Sequence, residues 1–184
     1  MITLRPFDLR NIGMHFQWNN DEEINYYDSD FPFQPEDFES FIRRINRITS
    51  TTEKSNYIFE IHLEHQSKMI GVVDVIRVDR FNRQCSVDCC IGDKKYRNRG
   101  YGSKALQQAL SFCFLELGMN KVTTAAFDFN KVWIHVVKKA GFRTEGTLRQ
   151  HAYKGSGYSD KLIFGLLRNE FELQHYAPGR KKAV

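Results

Sequence analysis

The sequence predicts a single mixed α/β domain, with helices flanking a largely antiparallel sheet. Apolar residues change between helical and strand spacing along the 184-residue chain, without a linker or an internal repeat. Three strand-like runs follow one another in the middle of the chain, whereas the later runs are separated by helices. A chain of this length, with 41% apolar residues, can bury its own core.

The first 50 residues are predicted to be mostly helical. A short strand at residues 2–5 precedes a helix that Asp8 caps and that runs towards Trp18. A second helix begins at Pro35, a residue favoured in the first helical turn. Its apolar side chains recur at helical spacing, at Phe38, Phe41, Ile42, Ile45 and Ile48.

The middle of the chain changes to strand periodicity. Apolar and polar residues alternate over residues 57–63, and two further strands are predicted at residues 69–78 and 84–91. Because only short polar turns join these runs, we expect an antiparallel meander.

Helices and strands alternate in the second half. A helix at residues 101–117 is followed by a strand at residues 122–127. The next helix is capped by Asn130 and stopped by Gly141. Two last strands flank the hairpin signal Gly155-Ser156-Gly157.

Composition excludes several classes of protein. No apolar run approaches the ~20 residues that span a bilayer, and no export signal opens the chain, so we expect a cytoplasmic protein without a membrane partner. The net charge of +5 is modest and no groove-reading motif is present, so nucleic acid is not an expected partner. We expect one domain over residues 1–172 and a basic tail over residues 173–184.

The four cysteines do not suggest a metal site. Cys85, Cys89, Cys90 and Cys113 lack the paired spacing of zinc ligands, and no histidine pair lies nearby. We therefore expect free thiols that act as small apolar core residues, with no metal and no disulfide.

The most informative segment is the glycine-containing loop of residues 92–104. It joins a strand to a helix, and Gly100 and Gly102 let the backbone come close to a ligand. The first N–H groups of a helix lack intrahelical partners and attract anions. Cations surround this position at Lys94, Lys95, Arg97, Arg99 and Lys104. The loop therefore predicts a diphosphate-binding site.

Other interpretations of this loop fit less well. A P-loop needs a different glycine spacing, because only Gly102-Ser103-Lys104 matches. The dinucleotide pattern fits Gly100, Gly102 and Ala105, but polar residues separate it from the strand. A purely structural glycine loop also stays open.

The loop resembles a known family signature. Residues 97–102, Arg-Asn-Arg-Gly-Tyr-Gly, resemble the [RQ]-x-x-G-x-[GA] motif of the GNAT N-acetyltransferases. Asn130 followed by Gly141-Phe142 resembles a second segment of that family. The resemblance covers residues 2–171, and its closing hairpin resembles the branch of ribosomal-protein-alanine (RimJ/RimL-like) and spermidine acetyltransferases. Further matching residues are Leu4, Arg5, Pro6, Trp18, Asp21, Ile70, Gly71, Gly146, Tyr153, Tyr158, Asp160, Arg168 and Phe171.

The resemblance implies a GNAT acyl-CoA N-acyltransferase fold that binds acetyl-CoA. The cofactor would lie in a parallel splay between the strands of residues 85–91 and 121–127. Backbone groups of Ile91, Gly92 and Asp93 would meet its pantetheine arm and acetyl carbonyl, and Asn130 would anchor the arm or simply cap its helix. The diphosphate would be held by Arg97, Asn98, Arg99, Gly100, Tyr101, Gly102 and Ser103. A monomer or a homodimer is expected.

The family reaction implies direct attack of an amine on the thioester in a ternary complex. Ser86 occupies the position at which relatives often carry a glutamate, and Asp88, two residues on, points to the same face of the strand. Asp88 is either the general base or a structural carboxylate. Relatives use a tyrosine or a serine as general acid, but here those positions are Val137 and Trp133. His135 is expected to face solvent.

The acceptor is a primary amine of open identity: a protein N-terminus, a polyamine or another small amine. Acidic and aromatic residues mix between Trp18 and Phe33, either as an ordinary charged loop or as an amine site. We expect Trp18, Glu23 and Tyr27 to bind the acceptor. Two alternatives are a non-catalytic acyl-CoA sensor of the same fold and an RNA-associated protein that uses the basic tail.

Overall fold

The computed structural model describes residues 1–49, 55–66 and 68–176, and its centre is one seven-stranded sheet. The strands are β1 (Ile2–Pro6), β2 (Tyr57–Leu63), β3 (Lys68–Asp79), β4 (Gln84–Cys90), β5 (Lys121–Phe127), β6 (Arg143–Tyr153) and β7 (Tyr158–Leu167). Their order in the sheet is β1-β2-β3-β4-β5-β7-β6. Every neighbouring pair is antiparallel except β4 and β5, so the predicted mixed α/β class is confirmed.

Six α-helices accompany the sheet in the described residues. They are α1 (Ile12–Asn19), α2 (Glu22–Asp28), α3 (Phe38–Thr49), α4 (Tyr101–Ser111), α5 (Lys131–Lys139) and α6 (Arg168–Tyr176). Helix α4 packs on β1, β3 and β4, and its apolar face joins the main core. The core includes Cys85 and Cys113, and the four cysteines are free thiols in this structure.

Several helix boundaries differ from the prediction for local reasons. Helix α2 lies in the acidic segment that the sequence left as a possible loop, because the Asp21 side chain accepts a hydrogen bond from the Ile24 N–H. Helix α3 begins at Phe38 rather than at Pro35, because Asp37 accepts from the Ser40 N–H and acts as the cap.

The helix predicted over residues 101–117 changes its winding. After α4, residues Phe112–Glu116 form a π-helical turn, in which the Leu117 N–H donates to the Phe112 carbonyl at 2.9 Å. Within this turn Phe114 stacks on Phe171 of α6, with ring centroids 4.9 Å apart. Helix α6 runs to Tyr176, beyond the predicted domain boundary at residue 172, and residues 177–184 of the tail lie outside the described part of the chain.

The parallel pair β4–β5 opens into a splay. Only three residue pairs are in register, from Gln84 with Lys121 to Ser86 with Thr123. Beyond them β4 continues to Cys90 and β5 to Phe127 without pairing to each other. The third pair is also joined by a 2.8 Å hydrogen bond between the Ser86 and Thr123 hydroxyl groups. The splay lies between the predicted strands.

Candidate functional site

The glycine-containing loop leaves the first turn of α4 open. Gly100 adopts a left-handed conformation, with φ of +77°, and no side chain caps the helix. A Cβ atom built at Gly102 would meet nothing nearer than Ile91, at 3.9 Å. The uncapped N–H groups therefore face free space, which is the geometry of an anion site at a helix N-terminus.

Two of the predicted cations already have partners. Glu23 of α2 binds Lys94 at 2.5 Å and Arg97 at 2.7 Å, and the hydrogen bond from Lys94 lowers the pKa of this carboxyl. Arg97 also donates from Nε to the Ile91 carbonyl at 2.9 Å. Arg99 lies over the Tyr96 ring, and Asn98 and Lys104 are exposed. Helix α2 therefore contacts the glycine-containing loop directly.

The end of β4 is held tightly by its surroundings. The Asp93 N–H donates to the Ile70 carbonyl at 3.2 Å. The Asp93 carboxyl pairs with Lys68 at 2.8 Å, a hydrogen bond that lowers its pKa. Both the carboxyl and the N–H of Asp93 therefore already have partners within the chain. Gly92 packs against the ring of Trp18, which is only 8% exposed.

Helix α5 forms the far side of the splay. The Asn130 side chain accepts from the Trp133 N–H at 3.1 Å, so it caps the helix, and the Trp133 indole donates to the Thr124 hydroxyl at 3.2 Å. Val137 is buried and His135 is exposed, as expected. This face of α5 therefore presents no hydroxyl or imidazole that could act as the general acid.

Asp88 lies beside a second half-buried carboxyl. Asp74 of β3 is the register partner of Asp88 of β4. Burial, followed by repulsion from Asp88 and Asp28, raises the pKa of Asp74 to about 7. Burial and the Asp28 charge raise the pKa of Asp88 to about 6, against smaller opposing effects of Arg77, Lys161 and the Thr124 hydroxyl. The two carboxyls therefore titrate close to neutral pH.

The comparisons with known proteins decide the family. Residues 1–143 match the family model described as the acetyltransferase (GNAT) domain. The chain belongs to the GNAT acetyltransferase family. This acetyltransferase is 30% identical over 175 residues to the uncharacterized N-acetyltransferase YokL of the SPbeta prophage of Bacillus subtilis (strain 168), covering 95% of this chain and 94% of that protein. It is an acetyl-CoA-dependent N-acetyltransferase, as the sequence predicted.

More distant relatives include enzymes with a named substrate. The acetyltransferase is 20% identical to the spermidine N(1)-acetyltransferase of Escherichia coli (strain K12), covering 97% of this chain and 92% of that one. The crystal structure of spermidine N-acetyltransferase from Vibrio cholerae, in complex with CoA and spermine, superposes with a TM-score of 0.83 at 19% identity, covering 92% of this chain and 97% of that one. This structural likeness supports the GNAT fold.

The acidic segment of the acetyltransferase contains one unpaired carboxylate near Asp88. Asp30 pairs with Lys161 at 2.5 Å and with His151 at 3.3 Å. Asp28, by contrast, forms no ion pair with any described residue, although the charges of Lys161 and Lys154 lie within range. Asp28 is exposed to solvent, but the surrounding protein partly desolvates its carboxyl and raises its pKa. The space around Asp28, Asp74 and Asp88 is called the cleft below.

Aromatic residues border the same cleft. Lys154, from the β6–β7 turn, donates to the carbonyls of Tyr26 and Ser29 at 2.8 Å and 2.6 Å. Its ammonium lies 4.1 Å from the Phe127 ring centroid, and burial lowers its pKa. Tyr27 is 44% exposed at the edge of this group. The Lys154 ammonium of the chain itself therefore already contacts this side of the cleft.

The predicted site residues of this acetyltransferase fall into two groups. One group surrounds the splay: residues 97–103 of the loop, Ile91–Asp93 at the end of β4, and Asn130 before α5. Asp88 lies on β4 itself. Of the predicted acceptor residues, Tyr27 borders the cleft, Glu23 binds the loop cations, and Trp18 contacts the strand end; their roles towards an acceptor stay predictions. In the described part of the chain, no three His, Cys, Asp or Glu side chains gather closely enough to hold a metal ion.

Sequence reasoning missed Asp74. The signal was a lone acidic residue inside the apolar run of residues 69–78, on the face opposite Val73 and Val75. No helix among the described residues is long and apolar enough to cross a membrane.

Proposed function

We propose that this acetyltransferase transfers the acetyl group of acetyl-CoA to a small primary amine that carries more than one positive charge. The observation that carries the proposal is the group formed by Asp28, Asp74 and Asp88. These carboxylates come from α2, β3 and β4, and none of them forms an ion pair among residues 1–49, 55–66 and 68–176. These carboxylates repel one another, and a bound ammonium would relieve the repulsion.

The donor side fits the same reaction. The uncapped first turn of α4 would hold the diphosphate of acetyl-CoA, with Arg97, Asn98, Arg99 and Ser103 around it. The thioester would lie in the splay, where the N–H groups of residues 91 and 92 can stabilise negative charge on its carbonyl oxygen. Asn130 stands on the opposite side of the splay.

Asp88 is the proposed general base. An amine reaches the enzyme mostly as its ammonium, with a pKa of about 10.4 for a lysine-like group, and must lose a proton before it attacks. Asp88, with a pKa of about 6, is ionised at neutral pH and accepts that proton directly or through a water molecule. The neutral amine then attacks the thioester carbonyl, the C–S bond breaks, and the thiolate leaves. A thiol pKa near 8.5 makes that departure feasible without a general acid.

The relatives support the acceptor class. Two of the proteins compared above act on spermidine or were crystallised with spermine, both of which carry several amines. A protein N-terminus and a monoamine stay alternatives, and each carries fewer positive charges close to the attacking nitrogen.

A thiol-release assay with matched amines tests the proposal. Spermidine, a diamine, a monoamine of the same length and a short peptide with a free N-terminus are compared at equal concentration with acetyl-CoA. We expect kcat/KM to be highest for the amines with several charges, by about tenfold or more over the monoamine, equivalent to about 1.4 kcal/mol. Equal values would overturn the acceptor class. Binding of acetyl-CoA without thiol release for any amine would favour a sensor.

A further inference from the structure

Two glycines on either side of the β4 end have no space for a side chain. A Cβ atom built at Gly71 of β3 would overlap the Cys90 carbonyl oxygen and would lie 3.0 Å from the Ile91 Cα. A Cβ atom at Gly92 would overlap the Trp18 ring. Most other glycines, such as Gly146 in β6, have nothing within 4 Å. The backbone at residues 91 and 92 is therefore pressed between β3 and an indole ring.

Trp18 is well placed to hold this contact. It lies at the end of α1, is 8% exposed, and its carbonyl accepts from the Asp21 N–H at 3.2 Å. A large, rigid ring in a buried position has one orientation, so it fixes the surface against which Gly92 rests.

Two hydrogen bonds complete the restraint. Arg97 Nε donates to the Ile91 carbonyl at 2.9 Å, and the Asp93 N–H donates to the Ile70 carbonyl at 3.2 Å. The first bond fixes the orientation of the peptide plane that carries the Gly92 N–H. Residues 91–93 are thus held by packing on two faces and by hydrogen bonds at both ends.

We propose that Trp18 and Gly71 are positioning residues for catalysis. They hold the Ile91–Gly92 peptide so that a strand-end N–H points at the oxygen that becomes negative in the transition state. This inference rests on the proposed placement of the thioester at residues 91–93. It assigns Trp18 to the donor side of the site, instead of the acceptor contact that the sequence suggested.

The expected effect is on the chemical step and leaves cofactor binding intact. A misplacement of about 1 Å costs about 10²-fold in rate when it misaligns reacting groups. We therefore expect Trp18→Ala and Gly71→Ala to lower kcat by about that factor. The affinity for CoA, which lacks the acetyl group, should stay within about twofold, because the diphosphate site at α4 is untouched.

A spectroscopic experiment separates positioning from general destabilisation. The carbonyl stretch of isotope-labelled acetyl-CoA is measured on the folded enzyme without any amine, for the wild type, Trp18→Phe, Trp18→Ala, Gly71→Ala and the matched control Gly146→Ala. A hydrogen bond to the carbonyl lowers its stretching frequency. We expect this shift in the wild type and in Gly146→Ala, a smaller shift in Trp18→Phe, and its loss in Trp18→Ala and Gly71→Ala.

Each outcome decides the proposal. Trp18→Phe keeps the test open even if Gly71→Ala does not fold. Variants that melt earlier but keep both the shift and kcat would overturn the positioning role and leave the proposed reaction standing. A wild type that binds acetyl-CoA without any carbonyl shift would instead overturn the placement of the thioester, and the inference with it.

Discussion

The Asp74 and Asp88 carboxyls lie in register on neighbouring strands, and each has a raised pKa. At the scale of single residues, this pair connects function with stability. A carboxylate that is ready to accept a proton near neutral pH is one that the fold stabilises poorly. Natural proteins keep such groups where activity requires them, at a cost in stability.

We expect Asp88→Asn to lower kcat by about 10²-fold or more, because an amide cannot accept the ammonium proton. CoA affinity should not change. In the wild type, kcat/KM should fall as the pH drops through about 6, because Asp88 becomes protonated there. Steady-state kinetics from pH 5 to 8 and calorimetry with CoA check this, with Glu116→Gln as an exposed control. Wild-type turnover in Asp88→Asn would remove it as the base.

Asp74→Asn should stabilise the protein at pH 8. The pKa of Asp74 is raised in the folded state, to about 7, above its ordinary value of 3.8. Its protonated form therefore favours folding at low pH, and this stability is lost as the pH rises from about 4 through about 7. We expect the variant to gain about 1–2 kcal/mol over the wild type at pH 8, and nothing at pH 4.

Chemical unfolding at both pH values measures this difference. The same variant should raise KM for an acceptor with several charges more than KM for a monoamine. A variant that is less stable than the wild type at pH 8 would show that Asp74 has a stabilising partner.

At the scale of elements, helix α2 connects the two halves of the site. Glu23 near its start binds the loop cations, and Asp28 at its end lies in the cleft. The diphosphate of the cofactor and the Glu23 carboxylate would therefore compete for Lys94 and Arg97. The two carboxylates lie near opposite ends of this seven-residue helix.

Glu23→Gln should tighten CoA binding by about three- to tenfold at low salt, because it releases the positive charge of Lys94 and Arg97 for the diphosphate. The gain should shrink at high salt, since these groups are partly exposed. Calorimetry with CoA at two salt concentrations measures it. Glu22→Gln, one residue earlier on the same helix, is the matched control. Weaker binding of CoA to Glu23→Gln would mean that Glu23 positions the cations instead.

Gly102→Val should lose CoA affinity by more than about tenfold without unfolding the protein. The new side chain fits the empty space before α4, where the nearest atom to its Cβ is 3.9 Å away, and it fills the approach of the diphosphate. Calorimetry and thermal unfolding are compared with Gly13→Val, a helical glycine that also has open space around it. Unchanged affinity would place the cofactor elsewhere.

At the scale of the whole molecule, the described residues contain both sides of the proposed site. Removal of residues 177–184, which carry Arg180, Lys181 and Lys182, should leave CoA binding and amine acetylation within about twofold. Thiol release and calorimetry with the shortened chain check this. If binding of RNA accounted for the function, the shortened chain would lose its partner while keeping its fold.

The sequence by itself determined the elements that form through interactions between residues close together in the chain. Apolar spacing predicted α3 and the meander, and residues 97–102 with their glycines indicated the diphosphate loop. The sequence did not predict helix α2, because its capping residue and its charges are equally typical of a loop. It did not predict the π-helical turn after α4 either, because that turn depends on packing against α6.

Tertiary structure alone decided which distant residues meet. The register of β3 and β4 set Asp74 opposite Asp88, and the fold brought Glu23 to Arg97 and Lys154 to the end of α2. Spacing along a chain fixes which face a side chain occupies, but strand register and helix docking depend on packing across the whole core. The electrostatics of the cleft therefore became visible only in the folded chain.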